Sequence, residues 1–230
     1  MTNNKRIKAT FSGCCEFKHL FPVSHCVLAI SVGQESHEGE KLKATLELVS
    51  NSFSKCTILV GDSLQRHNFA FLNPLNQDDH YEHSIHLGDE WIARNSSLFP
   101  VMTIPYSIKR WDEWLTSLNF ELQLDKVKKC YRTNQMFQNA IKSTIDRFIE
   151  KIKNRGTVNQ NMIPVITKAS LNYLIEEIAV LLLMMPEENY HYIVYPSKMI
   201  KALEAAYQLL LKDVHKHLMK WVRVHHATKK

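Results

Sequence analysis

No glycine-rich phosphate loop occurs in this chain of 230 residues. Its six glycines include Gly33 and Gly39 near the first predicted turn, which fall short of GxGxxG, and GxxxxGK[ST] is absent, so nucleotide binding has no sequence support. Long apolar runs are missing too. The greasiest, Ile178 to Met185, has eight residues, far short of the ~20 that cross a bilayer. The polar, basic start from Met1 to Thr10 has no apolar segment behind it that would make a secretory signal. Neither membrane insertion nor secretion is expected. The five cysteines, at 14, 15, 26, 56 and 130, are odd in number and form no disulfide framework and no CxxC metal knuckles. That usage fits reduced thiols in the cytoplasm.

What the chain does have is positive charge, unevenly placed. Lysine and arginine number 29 against 23 aspartates and glutamates. Nine basic residues lie between Lys126 and Arg155 (Lys126, Lys128, Lys129, Arg132, Lys142, Arg147, Lys151, Lys153, Arg155) against the two acidic residues Asp146 and Glu150. A second basic block runs from Lys212 through Lys216, Lys220 and Arg223 to Lys229-Lys230, interleaved with His215, His217, His225 and His226. Such faces suit a polyanion, RNA first among them, or are simply a solvated helix face and a frayed tail.

Strand-like and helix-like runs alternate through the first half: strand 26 to 31, helix 38 to 52, strand Cys56 to Val60, helix from about 78 to 98, strand Val101 to Ile104. That alternation predicts βαβ units and a parallel sheet. Apolar residues at three- and four-residue spacing predict one long helix from Asp125 to Lys153, ended by Asn154-Arg155-Gly156. A further helix capped by Thr167 or Ser170 runs to Met185, before Pro186. Tyr190 to Tyr195 then reads as a strand, and a last helix extends from about Lys198 to His217. No repeat or linker divides the chain, and one domain is expected.

Several motifs invite chemistry. Gly61-Asp62-Ser63-Leu64 spells the GDSL signature of serine esterases, but Asp213-Val214-His215-Lys216-His217 does not match the DxxH that would supply a base for the serine. His80, His83 and His86 drift around a helix axis at three-residue steps and do not converge on a metal. Ser31 follows the first buried strand, where open α/β sheets keep their ligands. Tyr173 and Glu177 are one turn apart on a helix face that continues into apolar Ile178 and Leu181. A carboxylate there needs a cation or donor: a substrate ammonium, a nearby lysine, or a place at the helix edge.

Ser31 after Ala29-Ile30 and before Gly33-Gln34, the strand end Leu59-Val60-Gly61-Asp62, Lys109-Arg110-Trp111-Asp112, Tyr173-x-x-x-Glu177 and Tyr195-Pro196 together resemble the tRNA-dependent cyclodipeptide synthases, over roughly residues 25 to 210. Gln34 stands where one subfamily has asparagine, and Pro196 where that subfamily has histidine, so the chain looks like the other branch, named for its Tyr-Pro pair. The resemblance implies an α/β, Rossmann-like, mostly parallel sheet flanked by helices, similar to the catalytic domain of class I tyrosyl- and tryptophanyl-tRNA synthetases. It would fill 25–217, leaving 1–24 as an N-terminal extension and 218–230 as a basic tail. It also implies that two aminoacyl-tRNAs are joined into a diketopiperazine, through an aminoacyl ester on Ser31 and then a dipeptidyl-enzyme. Tyr173 and Glu177 would hold the substrate amino group, Tyr195 would relay a proton during cyclisation, and Gln34 would orient the ester. Gly33, Val27, Ala29 and Pro196 would line the substrate pocket. Lys126, Lys128, Lys129 and Arg132, with Arg94 on the preceding helix, would meet tRNA phosphates. The aminoacyl ester is already activated, so neither ATP nor another cofactor nor a metal is expected, and a cytoplasmic monomer is. Two other classes remain open: a GDSL-type esterase acting through Ser63, and a tRNA-binding module without catalysis.

Overall fold

The computed structural model describes residues 7–12, 15–69, 77–155, 159–211 and 218–228. Six strands form one sheet: β1 (Ile7–Ser12), β2 (His25–Ile30), β3 (Lys55–Val60), β4 (Tyr106–Arg110), β5 (Tyr192–Tyr195) and β6 (Lys220–Thr228). Their order is β1-β6-β5-β2-β3-β4, and every neighbouring pair is parallel except the edge pair β1–β6. The expected mostly parallel α/β sheet is therefore present. Helices α1 (Gly39–Ser50), α2 (Arg66–Phe69), α3 (Gln77–Asn95), α4 (Trp111–Leu115), α5 (Phe120–Thr133), α6 (Gln135–Lys153), α7 (Ile163–Ile178) and α8 (Lys201–Leu210) flank it.

Side chains alternate across a strand, and with both sheet faces covered both sets must be apolar. In β2 and β3, Cys26, Leu28, Ile30, Cys56, Ile58 and Val60 pack with α1 and Trp91 of α3. Val27 and Leu59 point the other way, into a larger core built with α5, α6, α7 and α8. From β2 the chain winds outward through β3 and β4, then returns to place β5 on the other side of β2. The gap between the carboxyl ends of β2 and β5 is thus the point where winding reverses, the usual ligand position in such sheets.

Several elements differ from the sequence expectation. The strand expected at Val101–Ile104 lies beyond Pro105, at Tyr106–Arg110, and the Pro105 carbonyl accepts the first ladder bond from Cys56 N at 3.1 Å. The single helix from Asp125 to Lys153 is two. Asn134 is extended (φ −120°, ψ 109°), ends α5, and caps α6 by accepting the Phe137 N–H at 2.9 Å. Helix α7 starts at Ile163 with Pro164 in its first turn, not at Thr167 or Ser170, as suits a residue whose missing N–H is needless there. It widens into a π turn over Ala179–Met184 before a 3-10 turn over Met185–Glu188. By length and composition the run Gln160–Glu188 could cross a membrane, but 72% of its most apolar window is buried inside this protein, and it is a core helix. Both ends set apart by the sequence, 1–24 and 218–230, supply strands: β6 lies between β1 and β5, with Val222 and Val224 fully buried. The predicted stop at Gly156, the helix beyond Leu211 and the residues Lys212, His215, Lys216, His217, Lys229 and Lys230 lie outside the described residues.

Candidate active site

A cavity of 460 Å³ opens at the reversal point between β2 and β5. Ser31 enters it as the first residue after β2, at the head of a turn closed by Gln34 N–H on the Ser31 carbonyl at 3.2 Å. Gly33, third in that turn, has φ +84°, the left-handed value a type II turn requires and glycine adopts without strain. The turn presents Ser31 Oγ to Tyr195, the last residue of β5, with Oγ and Oη 2.9 Å apart. Gln34 Nε2 donates to the same phenol oxygen at 3.0 Å. Burial lifts the Tyr195 phenol above its usual range, Glu177 adds to the rise, and the bonds from Ser31 and Gln34 oppose it.

Tyr173 and Glu177 line the same cavity from α7. Burial raises the Tyr173 phenol well above its ordinary value, helped by the neighbouring Glu177. Glu177 Oε2 is buried without a hydrogen-bond partner among the described residues, and desolvation pushes its carboxyl up to about 7. The nearby cation goes to the adjacent residue instead. Glu176, 5% exposed, accepts both terminal nitrogens of Arg66 and also bonds His67 Nε2 at 3.1 Å and Trp111 Nε1 at 2.9 Å. Its carboxyl stays below the usual range, against its burial, because His67 and Arg66 hold the charged form. One carboxylate is saturated and its neighbour is left open to the cavity.

Among the other expected pocket residues, Ala29 and Gly33 line the cavity. Val27 does not. It shares the sheet face of Ala29 but sits two residues further from the strand's carboxyl end, wholly inside the core. Pro196 is also outside the lining, its carbonyl instead taking Arg223 Nε at 3.3 Å. None of Lys126, Lys128, Lys129 and Arg132 reaches the cavity: all four lie on α5, where Lys126 bonds Gln123 at 3.0 Å and Lys128 stands 3.8 Å from Asp125. Arg94 is tied to Glu38 at 2.9 Å.

The sequence reading missed several lining residues. Arg147 and Lys151 of α6, with Lys198 and Lys201 beside the start of α8, place four cations on the cavity wall. The i,i+4 spacing of Arg147 and Lys151 on α6 was the available signal for that pair. Trp221 of β6 also lines it, 5.6 Å ring to ring from Tyr195 and donating Nε1 to the Ser197 carbonyl at 2.8 Å. His37, nearly fully buried, touches Ser31 itself, with Nδ1 2.9 Å from Ser31 N.

The other motifs resolve as structure. Ser63 and Asp62 are wholly buried. Asp62 accepts the Ser63 N–H at 2.7 Å and Arg110 Nε at 2.6 Å, and Ser63 Oγ has no hydrogen-bond partner among the described residues. A serine sealed from substrate is no esterase centre. The DxxH-like stretch at Asp213–His217 lies outside the described residues. His80 is buried, His83 packs on Phe69 and His86 stands 3.3 Å from Glu90. Among the described residues no group of three or more His, Cys, Asp or Glu side chains could hold a metal ion.

Solved structures resemble this chain. A cyclodipeptide synthase (CDPS) from Fluoribacter dumoffii is 38% identical, with a TM-score of 0.91 over 98% of this chain and 100% of that one. A cyclodipeptide synthase from Candidatus Glomeribacter gigasporarum, solved bound to Phe-tRNAPhe, is 18% identical, with a TM-score of 0.68 over 90% of this chain and 89% of its own. A Mycobacterium tuberculosis protein is 9% identical, with a TM-score of 0.66 over 98% of this chain and 94% of that one. Its structure is described as demonstrating that cyclodipeptide synthetases are related to type I tRNA synthetases. No protein-family model and no curated protein matches.

Proposed function

This chain belongs to the cyclodipeptide synthases, tRNA-dependent aminoacyltransferases that build cyclic dipeptides from aminoacyl-tRNA, and from that premise we propose that Ser31 is the nucleophile and the 460 Å³ cavity its reaction chamber. One observation carries the proposal: the Ser31 hydroxyl shares one cavity with Glu177, whose Oε2 has no hydrogen-bond partner among the described residues.

Ser31 Oγ bonds to the ester carbonyl carbon of a first aminoacyl-tRNA, the carbon's bond to the ribose oxygen breaks, and the hydroxyl proton goes to that oxygen. One ester replaces another, so no ATP is consumed. The Glu177 carboxyl, with Tyr173 beside it, holds the substrate ammonium. Its affinity for a proton near 7 suits it to take one as the amine becomes a nucleophile. The enzyme-bound amine then attacks the ester carbonyl of a second aminoacyl-tRNA, expelling its ribose hydroxyl and leaving a dipeptide on Ser31. Attack by the incoming amine would instead leave the dipeptide on the tRNA. Finally the dipeptide's free amine attacks the Ser31 ester and closes the six-membered ring. The amine's proton returns to Oγ, 2.9 Å from Tyr195 Oη, which relays it.

Arg147, Lys151, Lys198 and Lys201 on the cavity wall receive the phosphates at the tRNA acceptor end, and the cations of α5 serve the stem beyond. Arg94, already paired with Glu38, is not carried forward. Gln34 on the Tyr195 phenol, where the other subfamily has asparagine, supports placement in the Tyr-Pro branch. A single domain from β1 to β6, working in the cytoplasm, completes the reading.

The test is mass spectrometry of small molecules from cells expressing the chain. Cyclic dipeptides are expected with the wild type and absent with Ser31→Ala at unchanged protein level, while Ser63→Ala stays within about threefold of wild type, because surface-remote hydroxyl losses leave transition-state contacts intact. Product from Ser31→Ala would end the covalent reading.

A further inference from the structure

His37 is 2% exposed and sits in the short turn after the Ser31–Gln34 loop. Its Nδ1 lies 2.9 Å from Ser31 N and 3.2 Å from Ser31 O. The carbonyl already accepts the Gln34 N–H at 3.2 Å. The Ser31 N–H, just past the end of β2, has no backbone acceptor among the described residues. Both the shorter distance and the accounting of backbone groups make Nδ1 an acceptor, which assigns the ring proton to Nε2. Nε2 is buried and has no partner among the described residues. The His37 backbone is held where its carbonyl accepts Trp91 Nε1 at 2.9 Å, and the ring faces Tyr195 at 5.4 Å between centroids. Burial lowers this imidazole to about 4, so the ring is neutral near pH 7 and one of its two nitrogens carries a lone pair there.

We propose that His37 is a positioning residue for the nucleophile: by accepting the Ser31 N–H at Nδ1 it locks the Ser31–Gln34 turn so that Oγ is aimed at Tyr195. A histidine beside a nucleophilic serine is ordinarily read as its base. Here the lone pair points at the serine's backbone, not its hydroxyl, and the proton of Oγ must leave by another route. The arrangement also occupies the nucleophile's own N–H, which therefore cannot serve as an oxyanion donor. This rests on Ser31 being the nucleophile, which Ser31→Ala tests separately.

Asparagine places Oδ1 where Nδ1 stands, whereas glutamine places Oε1 at the reach of Nε2 and leucine offers no acceptor. His37→Asn, His37→Gln and His37→Leu are compared for melting temperature and for kcat and KM with aminoacyl-tRNA. The expected result is that His37→Asn keeps kcat within about threefold of wild type, while His37→Gln and His37→Leu lose about tenfold or more in kcat at nearly unchanged KM. Should His37→Leu fail to fold, the asparagine and glutamine variants carry the comparison. Glutamine performing as well as asparagine, a loss confined to KM, or an H37N protein that does not fold would each overturn the proposal. An inactive Ser31→Ala beside a fully active His37→Leu would remove this inference and leave the nucleophile in place.

Discussion

Glu176 and Glu177 are chain neighbours with opposite surroundings. Glu176 meets Arg66, His67 and Trp111, whereas Glu177 Oε2 has no hydrogen-bond partner among the described residues. An unfolded glutamate titrates near 4.5 and Glu177 in the fold near 7, so between those values the folded chain binds the extra proton. The contribution of Glu177 to folding stability is therefore highest below the lower value, falls as pH rises from about 4.5 to 7, and stays reduced above. Glu177→Gln removes this cost. The variant is expected to gain about 3 kcal/mol over wild type at pH 8 and almost nothing at pH 4, read by denaturant titration at both values. The same change is expected to lower aminoacyl transfer severely, since an amide cannot balance an ammonium, and a charge-assisted bond contributes about 1.5–3 kcal/mol. Equal stability at both pH values, or full activity, would contradict the reading. The i,i+4 spacing from Tyr173 made Glu177 legible in the sequence, because a helix face is a local property. Which of two adjacent glutamates would find the arginine was not legible, since Arg66 is 110 residues away in the chain.

Strand β6 shows a different limit at the scale of elements. Lys220 to Thr228 is crowded with lysine, arginine and histidine, and charge alone reads as a solvated tail. Yet Val222 and Val224 alternate with Trp221 and Arg223, and β5 and β1 pair with it on either side. The period of two was there to be seen, but the partner strands lie at far separations along the chain, and sequence periodicity does not identify partners. By contrast β2, α1 and β3 were legible because a parallel strand buried on both faces is apolar throughout. The helix break at Asn134 was missed although the sequence marks it twice, by the lapse of apolar spacing over Arg132 to Gln135 and by the asparagine cap. Ending the chain at residue 217 is expected to abolish the cooperative thermal transition. It strips two fully buried valines, each contributing roughly 1.5–3 kcal/mol, opens the edges of β1 and β5, and removes Trp221 from the cavity wall. A truncated protein that melts as the wild type does would show that β6 is dispensable.

For the whole molecule, the fold brings residues from both halves of the sequence to one reversal point. Ser31 and Gln34 arrive from the first β–α turn, Tyr173 and Glu177 from α7, Tyr195 from β5 and Trp221 from the last strand. Four cations on α6 and around the start of α8 share the wall with them. The basic segment from Lys126 to Arg155 was legible as a polyanion surface, but only the packing of α6 selects Arg147 and Lys151, because the helix face towards the cavity depends on how Phe137, Ile141, Ile145 and Ile149 seat in the core. The central claim is that this cavity transfers an aminoacyl group from tRNA to Ser31. It is tested most directly by mixing the protein with a limiting amount of labelled aminoacyl-tRNA, quenching in acid within a single turnover, and locating the label by peptide mass spectrometry. The predicted result is one aminoacyl adduct on the peptide carrying Ser31, discharged into cyclic dipeptide when more aminoacyl-tRNA is added. Product formed with no adduct, or an adduct on any other residue, would contradict it.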